Sequence, residues 1–274
     1  MNKIFQSPLK KLIPVTLSAI GAAAALSFAN PAAALPVGWT CVGTCGTTTG
    51  VDGVVQVPSI PAGATGFDWV ATTDAPTASA GINGASLGLG SETNGSLLSS
   101  NVFSATAGDS LKFAFNYITS DGAGFADYAW ARLVDTTANS IVGYLVTART
   151  VTSGSIIPGL GMPAIMATLL PASVPIIPGG PAWSALGGNS GQCFSTGCGY
   201  TGWVESDYTI AATGNYQLQF GVVNWSDTAF QSGLAISGAT IGGAPITTVP
   251  EPGSIALIGA AALLGLAARR RRSA

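Results

Sequence analysis

Ser110-Leu111-Lys112-Phe113-Ala114-Phe115-Asn116-Tyr117 alternates large apolar side chains with small or polar ones. Leu111, Phe113, Phe115 and Tyr117 fall on one side of an extended chain and Lys112, Ala114 and Asn116 on the other, a period of two that only a strand has. Tyr216, Leu218, Phe220 and Val222 repeat the pattern against Gln217 and Gln219. Weaker strand signals run over 53–57, 67–71, 97–103, 128–134, 141–147, 202–209 and 234–241, separated by Gly-Asp, Asp-Gly, Asn-Gly and Thr-Gly-Asn turns. About nine short strands with no helical period between them predict an all-β fold, an antiparallel two-sheet sandwich of the jelly-roll kind.

One stretch interrupts the pattern. Residues 154–191 carry Pro158, Pro163, Pro171, Pro175, Pro178 and Pro181, which exclude a central strand. Their apolar content, including Ile156, Ile157, Met162, Leu169 and Trp183, predicts a loop packed over one end or face of the sandwich. A partner-binding surface is the alternative.

Four cysteines stand as Cys41-Val42-Gly43-Thr44-Cys45 and Cys193-Phe194-Ser195-Thr196-Gly197-Cys198. Three pairings are open; the two local ones are preferred because each pair flanks a glycine-containing turn. A four-cysteine zinc site is the competing reading, at spacings wider than zinc sites use.

Between Leu35 and Val249 eleven acidic residues face only Lys112, Arg132 and Arg149, a net charge of −8 where the whole chain has −2. Three cations cannot neutralise a row of phosphates, so nucleic acid is not an expected partner. The chain has no histidine, which removes Ser-His-Asp and Cys-His nucleophiles and histidine-ligated zinc. Carboxylates are nearly the only catalytic groups left, and Glu205-Ser206-Asp207 is the one local cluster. It begins like the Glu-x-Asp-x-x-Glu strand of jelly-roll glucanases, but Ile210 stands where the last glutamate belongs, so no acid/base pair is expected. The expectation is a protein that is not an enzyme.

Two binding signals remain. Asp121 and Asp127 bracket a glycine-rich turn with the oxygen-donor chemistry of a structural calcium site, but the preferred reading is a simple turn in which Asp121 pairs with Gly122 and Asp127 caps the next strand; Asp207 and Asp227 would join only if the fold brought them near. Trp183 and Trp225, both in turn-like contexts, are the aromatics to test as flat platforms for carbohydrate, whereas Trp130 reads as core.

Both ends of the chain are address segments. Lys3, Lys10 and Lys11 precede an apolar run to Phe28 and the small residues Ala32-Ala33-Ala34, which predicts a signal helix at 1–34 cut by signal peptidase after Ala34. The last segment, 249–274, holds Pro250-Glu251-Pro252, an apolar helix over Ile255 to Ala268 and Arg269-Arg270-Arg271-Arg272. At about 1.5 Å per residue this helix is slightly short for a bilayer, and the four arginines hold its end in the cytoplasm. Motif, short transmembrane helix and basic tail together resemble the PEP-CTERM sorting signal of Gram-negative bacteria. The resemblance implies an exosortase that cuts near Pro-Glu-Pro, with transient membrane insertion and a destination at the cell surface or in an extracellular, biofilm-type matrix. A permanent tail anchor is the alternative.

The body, 35–248, carries a second resemblance. Gly38-Trp39-Thr40-Cys41, Val102-Phe103-Ser104-Ala105, Asn116-Tyr117-Ile118-Thr119-Ser120-Asp121-Gly122, Asp127-Tyr128-Ala129-Trp130 and Asn224-Trp225-Ser226-Asp227 look like one family of PEP-CTERM exported proteins. This implies a single domain and brings no catalytic residues. The function expected is that of a non-enzymatic surface or matrix protein, with a carbohydrate-binding module for exopolysaccharide as the alternative.

Overall fold

The computed structural model describes residues 35–59, 63–77 and 84–246. The signal segment, the Pro-Glu-Pro motif, the apolar run after it and the arginine tail lie outside the described residues. Among the described residues no helix is long and apolar enough to cross a membrane.

Strands form where the sequence alternates. The first half contributes β1 (Thr40–Val42), β2 (Thr44–Thr49), β3 (Gly66–Ala71), β4 (Glu92–Ser99), β5 (Phe103–Ala105), β6 (Ser110–Thr119), β7 (Tyr128–Asp135) and β8 (Ser140–Arg149). The proline-rich insertion supplies only β9 (Ser155–Ile157), β10 (Thr168–Leu170), β11 (Val174–Pro175), β12 (Ile177–Pro178) and a 3₁₀ segment, Ser184–Asn189. β13 (Gly199–Tyr200), β14 (Val204–Thr209), β15 (Gly214–Trp225), β16 (Ser232–Ile241) and β17 (Ala244–Pro245) complete the chain.

All strand pairs are antiparallel and fall mainly into two sheets. One runs β1-β4-β15-β7-β8, with β5 also on β15; the other runs β10-β14-β6-β16-β3-β2. Prolines keep to the margins: Pro175 lies in the two-stranded β11–β9 ribbon and Pro178 in short β12, since proline has no N–H for a ladder.

The two sheets pack face to face. Phe113 of β6 meets Phe220 of β15 edge to face, centroids 5.3 Å apart, and Trp39 stacks on the same Phe220 at 6.0 Å. Leu111, Phe115, Tyr117, Leu133, Leu218, Val222 and Leu234 fill the space around them. Burying each such side chain contributes about 1.5–3 kcal/mol.

The outer faces are covered as well, which alternation did not predict. In β6, Ala114 and Asn116 are as buried as the inward residues beside them. Trp183 and Leu186 of the insertion, with Val55, Trp69 and Ile118, form a second cluster on the outside of the larger sheet. A third, around Tyr128, Trp130 and Val223, lies under Ala85 and Leu87 on the outside of the other sheet. The insertion therefore packs as expected, and Ile156, Ile157, Leu169 and Val174 even reach the core between the sheets.

Two strand expectations need correction. Residues 53–57 form a turn closed by an Asp52–Val55 bridge, because the Val54 N–H is taken by the Ala182 carbonyl at 2.7 Å and the segment docks on the insertion instead of a sheet. Residues 97–103 split between β4 and β5, since at Ser100 the chain leaves β4 and its N–H bonds Leu218 O at 2.8 Å.

Both local disulfides are present: Cys41–Cys45, Cα atoms 6.1 Å apart, and Cys193–Cys198, 5.6 Å apart. The first joins β1 of one sheet to β2 of the other, so it staples the point where the chain changes sheets.

Candidate functional site

The inward-facing rows that build the core turn polar at one end of the sandwich. Beyond Tyr117 the β6 row continues with Thr119 and Asp121; beyond Val222 on β15 comes Asn224; before Ala129 on β7 comes Asp127. Ser232 on β16, Thr72 after β3 and Thr150 after β8 complete the layer, and all of these side chains are buried.

Asp127 ties the layer together. Its Oδ1 accepts from Trp225 N at 2.8 Å and its Oδ2 from Ser232 Oγ at 2.6 Å, a bond that crosses between the sheets. Ser232 Oγ lies 2.7 Å from Thr119 Oγ1, which accepts from Asp121 N at 3.0 Å. Tyr117 donates its hydroxyl to the Asp127 carbonyl at 3.0 Å. Gln231 receives Thr72 Oγ1 at 2.7 Å and Asn224 Nδ2 at 3.2 Å.

Charge in the layer is poorly compensated. Burial pushes Asp127 well above the usual carboxylate range, and the negative charges of Asp121 and Asp227 push the same way against the Ser232 and Trp225 bonds. Burial lifts Asp121 to about 7; its bond from Gly122 N, 2.6 Å, opposes this and repulsion from Asp227 adds to it. Asp121 Oδ2 and Asn224 Oδ1 are buried acceptors with no hydrogen-bond partner. The fold thus brings Asp227 near Asp121 and Asp127, whereas Asp207 lies elsewhere on β14. Among the described residues no three His, Cys, Asp or Glu side chains gather as metal ligands.

The second disulfide loop closes over this end. Phe194 N donates to Ser120 O and Ala123 N to Thr196 O, both at 2.9 Å, and Phe194 packs against Phe125 and Phe230. Beside it lies a cleft of about 590 Å³ bordered by Ala123, Ala126, Arg149, Thr150 and Leu160. Arg149 lies over the Trp225 ring, 4.4 Å from its centroid, and donates to the carbonyls of Ala126 and Leu160.

The other sequence candidates sit apart from this layer. Trp183 offers no platform: it is 1% exposed, edge-on to Trp69, and lies against Gly233 because the outside of the larger sheet needs an apolar cover. Trp225 is half-buried with one ring face occupied by Arg149, a cation–π contact that also shields it. Trp130 is fully buried as expected, but on the outer face of its sheet, donating to Ala85 O at 2.8 Å. Glu205 and Asp207 share Lys112, whose Nζ lies 3.3 and 2.8 Å from them. Thr72, Thr119, Thr150, Asn224 and Ser232 were missed, although extending the period of two past Tyr117 and Val222 reaches Thr119 and Asn224.

Residues 248–272 match the family model of the PEP-CTERM protein-sorting motif, which marks a chain for export and exosortase processing. No curated protein matches the chain. Among solved structures it is similar to the K1 cleaved adhesin domain of Lys-gingipain from Porphyromonas gingivalis W83, at 12% identity over 75% of this chain and 94% of that one, TM-score 0.31. The enzymatically active domain of tailspike protein 4 of bacteriophage CBA120 is similar at 11% identity over 75% of this chain and 19% of that one, also with TM-score 0.31. Neither likeness is close enough to carry an argument.

Proposed function

We propose that the PEP-CTERM motif at 248–272 delivers a non-enzymatic protein, a jelly-roll-like β-sandwich, to the cell surface or extracellular matrix. That motif is the observation on which the reading rests. The signal segment starts export and is cut after Ala34; the exosortase then acts near Pro250-Glu251-Pro252 while the apolar run holds the chain briefly in the inner membrane.

The chemistry of the body supports a non-catalytic role. The chain has no histidine, and the Glu205–Asp207 pair is bridged by a lysine, which holds Asp207 below its ordinary carboxylate range despite partial burial. A glycosidase needs the reverse, one acid held up opposite a free carboxylate. Intact mass spectrometry of surface material tests the proposal. Residues beyond about Pro250 are expected to be absent only in cells that have the exosortase. Mature protein that retains Arg269 to Arg272 would establish a tail anchor instead.

A further inference from the structure

We propose that the buried polar layer at the end of the sandwich binds one hard divalent cation of the calcium class, with Asp121 and Asp127 as charged donors and Asn224 Oδ1 as a neutral one. Asp121 follows the end of β6, Asp127 precedes β7 and Asn224 lies near the end of β15; all three side chains are buried at this end of the sandwich, and every candidate donor is oxygen, the ligand set such cations take.

The unpartnered atoms limit what the ligand can be. Asp121 Oδ2 and Asn224 Oδ1 are both acceptors, so a group that fills the gap must supply positive charge or protons, not another lone pair. Among the described residues the three cations are committed elsewhere. Lys112 bridges Glu205 and Asp207; Arg132 lies over Trp130 and donates to Gln219; Arg149 lies over Trp225 and donates to two carbonyls. None of these bonds reaches Asp121 or Asp127. Asp227, half-buried on the next loop, adds negative field without entering the layer. With two carboxylates in place of a full set, the remaining ligands would be water or backbone carbonyls, which calcium accepts readily.

The full chain, stripped with EDTA and titrated with calcium chloride at constant ionic strength, tests this by calorimetry and thermal melting. One saturable site per chain is expected, with a Tm that rises and levels off, as ligation of the folded state alone requires. Asp121→Asn retains the acceptor for Gly122 N and is expected to weaken binding about tenfold or more by removing a charged donor. Asp227→Asn, at a half-exposed position and with an acceptor kept for Ala229 N, is expected to weaken it about threefold through the field alone. Absence of saturable binding to the wild type up to about 10 mM calcium, about tenfold above the weak end of extracellular sites, overturns the proposal. So does unchanged affinity in both variants, or a Tm rise that matched sodium chloride reproduces, which would be screening.

Discussion

Three tryptophans explain three strand glycines. Trp69 lies over its cross-strand partner Gly46, Trp130 over its partner Gly221, and Trp183 over Gly233; a Cβ at these glycines would come within 2.4, 2.3 and 2.5 Å of the rings. Glycine ordinarily weakens a strand interior, but here each vacancy lets an indole lie flat on the sheet. Gly221→Ala is accordingly expected to destabilise by about 1–3 kcal/mol through overpacking against Trp130, read as a lower denaturant midpoint at unchanged slope. Glu92 is a second residue whose role is local. Burial opposes its ionisation, yet the N–H groups of Leu89 and Gly90 and the Tyr128 hydroxyl together outweigh burial and hold it below its ordinary value of 4.5. The unfolded chain then takes up this proton first, so the contribution is complete above pH 4.5 and is lost as pH falls through the lower folded value. Glu92→Gln is expected to flatten that acid limb in Tm measured against pH, with little change in its slope above neutrality.

At the scale of elements, the β1–β2 corner is where chain and covalent bond work together. Gly43 sits at φ 94°, and a Cβ there would lie 2.3 Å from Ser96 Oγ, so the corner between sheets is open only to glycine. The Cys41–Cys45 bridge closes a very short loop around it, which by loop entropy stabilises by about 2 kcal/mol. Replacing both cysteines by serine is expected to lower stability by about that amount while preserving near-UV circular dichroism, because both sheets retain their inter-sheet core. Loss of cooperative unfolding in this variant would show instead that the corner, not the core, holds the sheets together. The insertion at 154–191 has a different logic: too proline-rich to form central strands, it supplies side chains to all three apolar clusters, with Met162 packing against the one over Trp130. Leu160, Met166 and Leu170 remain more than half exposed along it.

For the whole molecule, the sequence by itself determined the all-β class, most strand positions, the local disulfides and the sorting motif. These rest on information within a few residues: period two, turn chemistry, a glycine between two cysteines, a motif beside an apolar run. Tertiary structure alone decided the rest, because it depends on partners far apart in the chain. Ala114 and Asn116 looked like an outer face, but Trp183 and Leu186 lie in the layer that covers that side of the sheet. Trp183 looked like a platform for the same reason: a turn-like context says nothing about the sheet it lands on. Asp121 and Asp127 were legible as two carboxylates around a turn. That they share a buried layer with Asn224 and Ser232, more than a hundred residues away along Ser232's bond to Asp127, follows only from antiparallel pairing, which aligns the ends of distant strands and turns their inward rows toward one space.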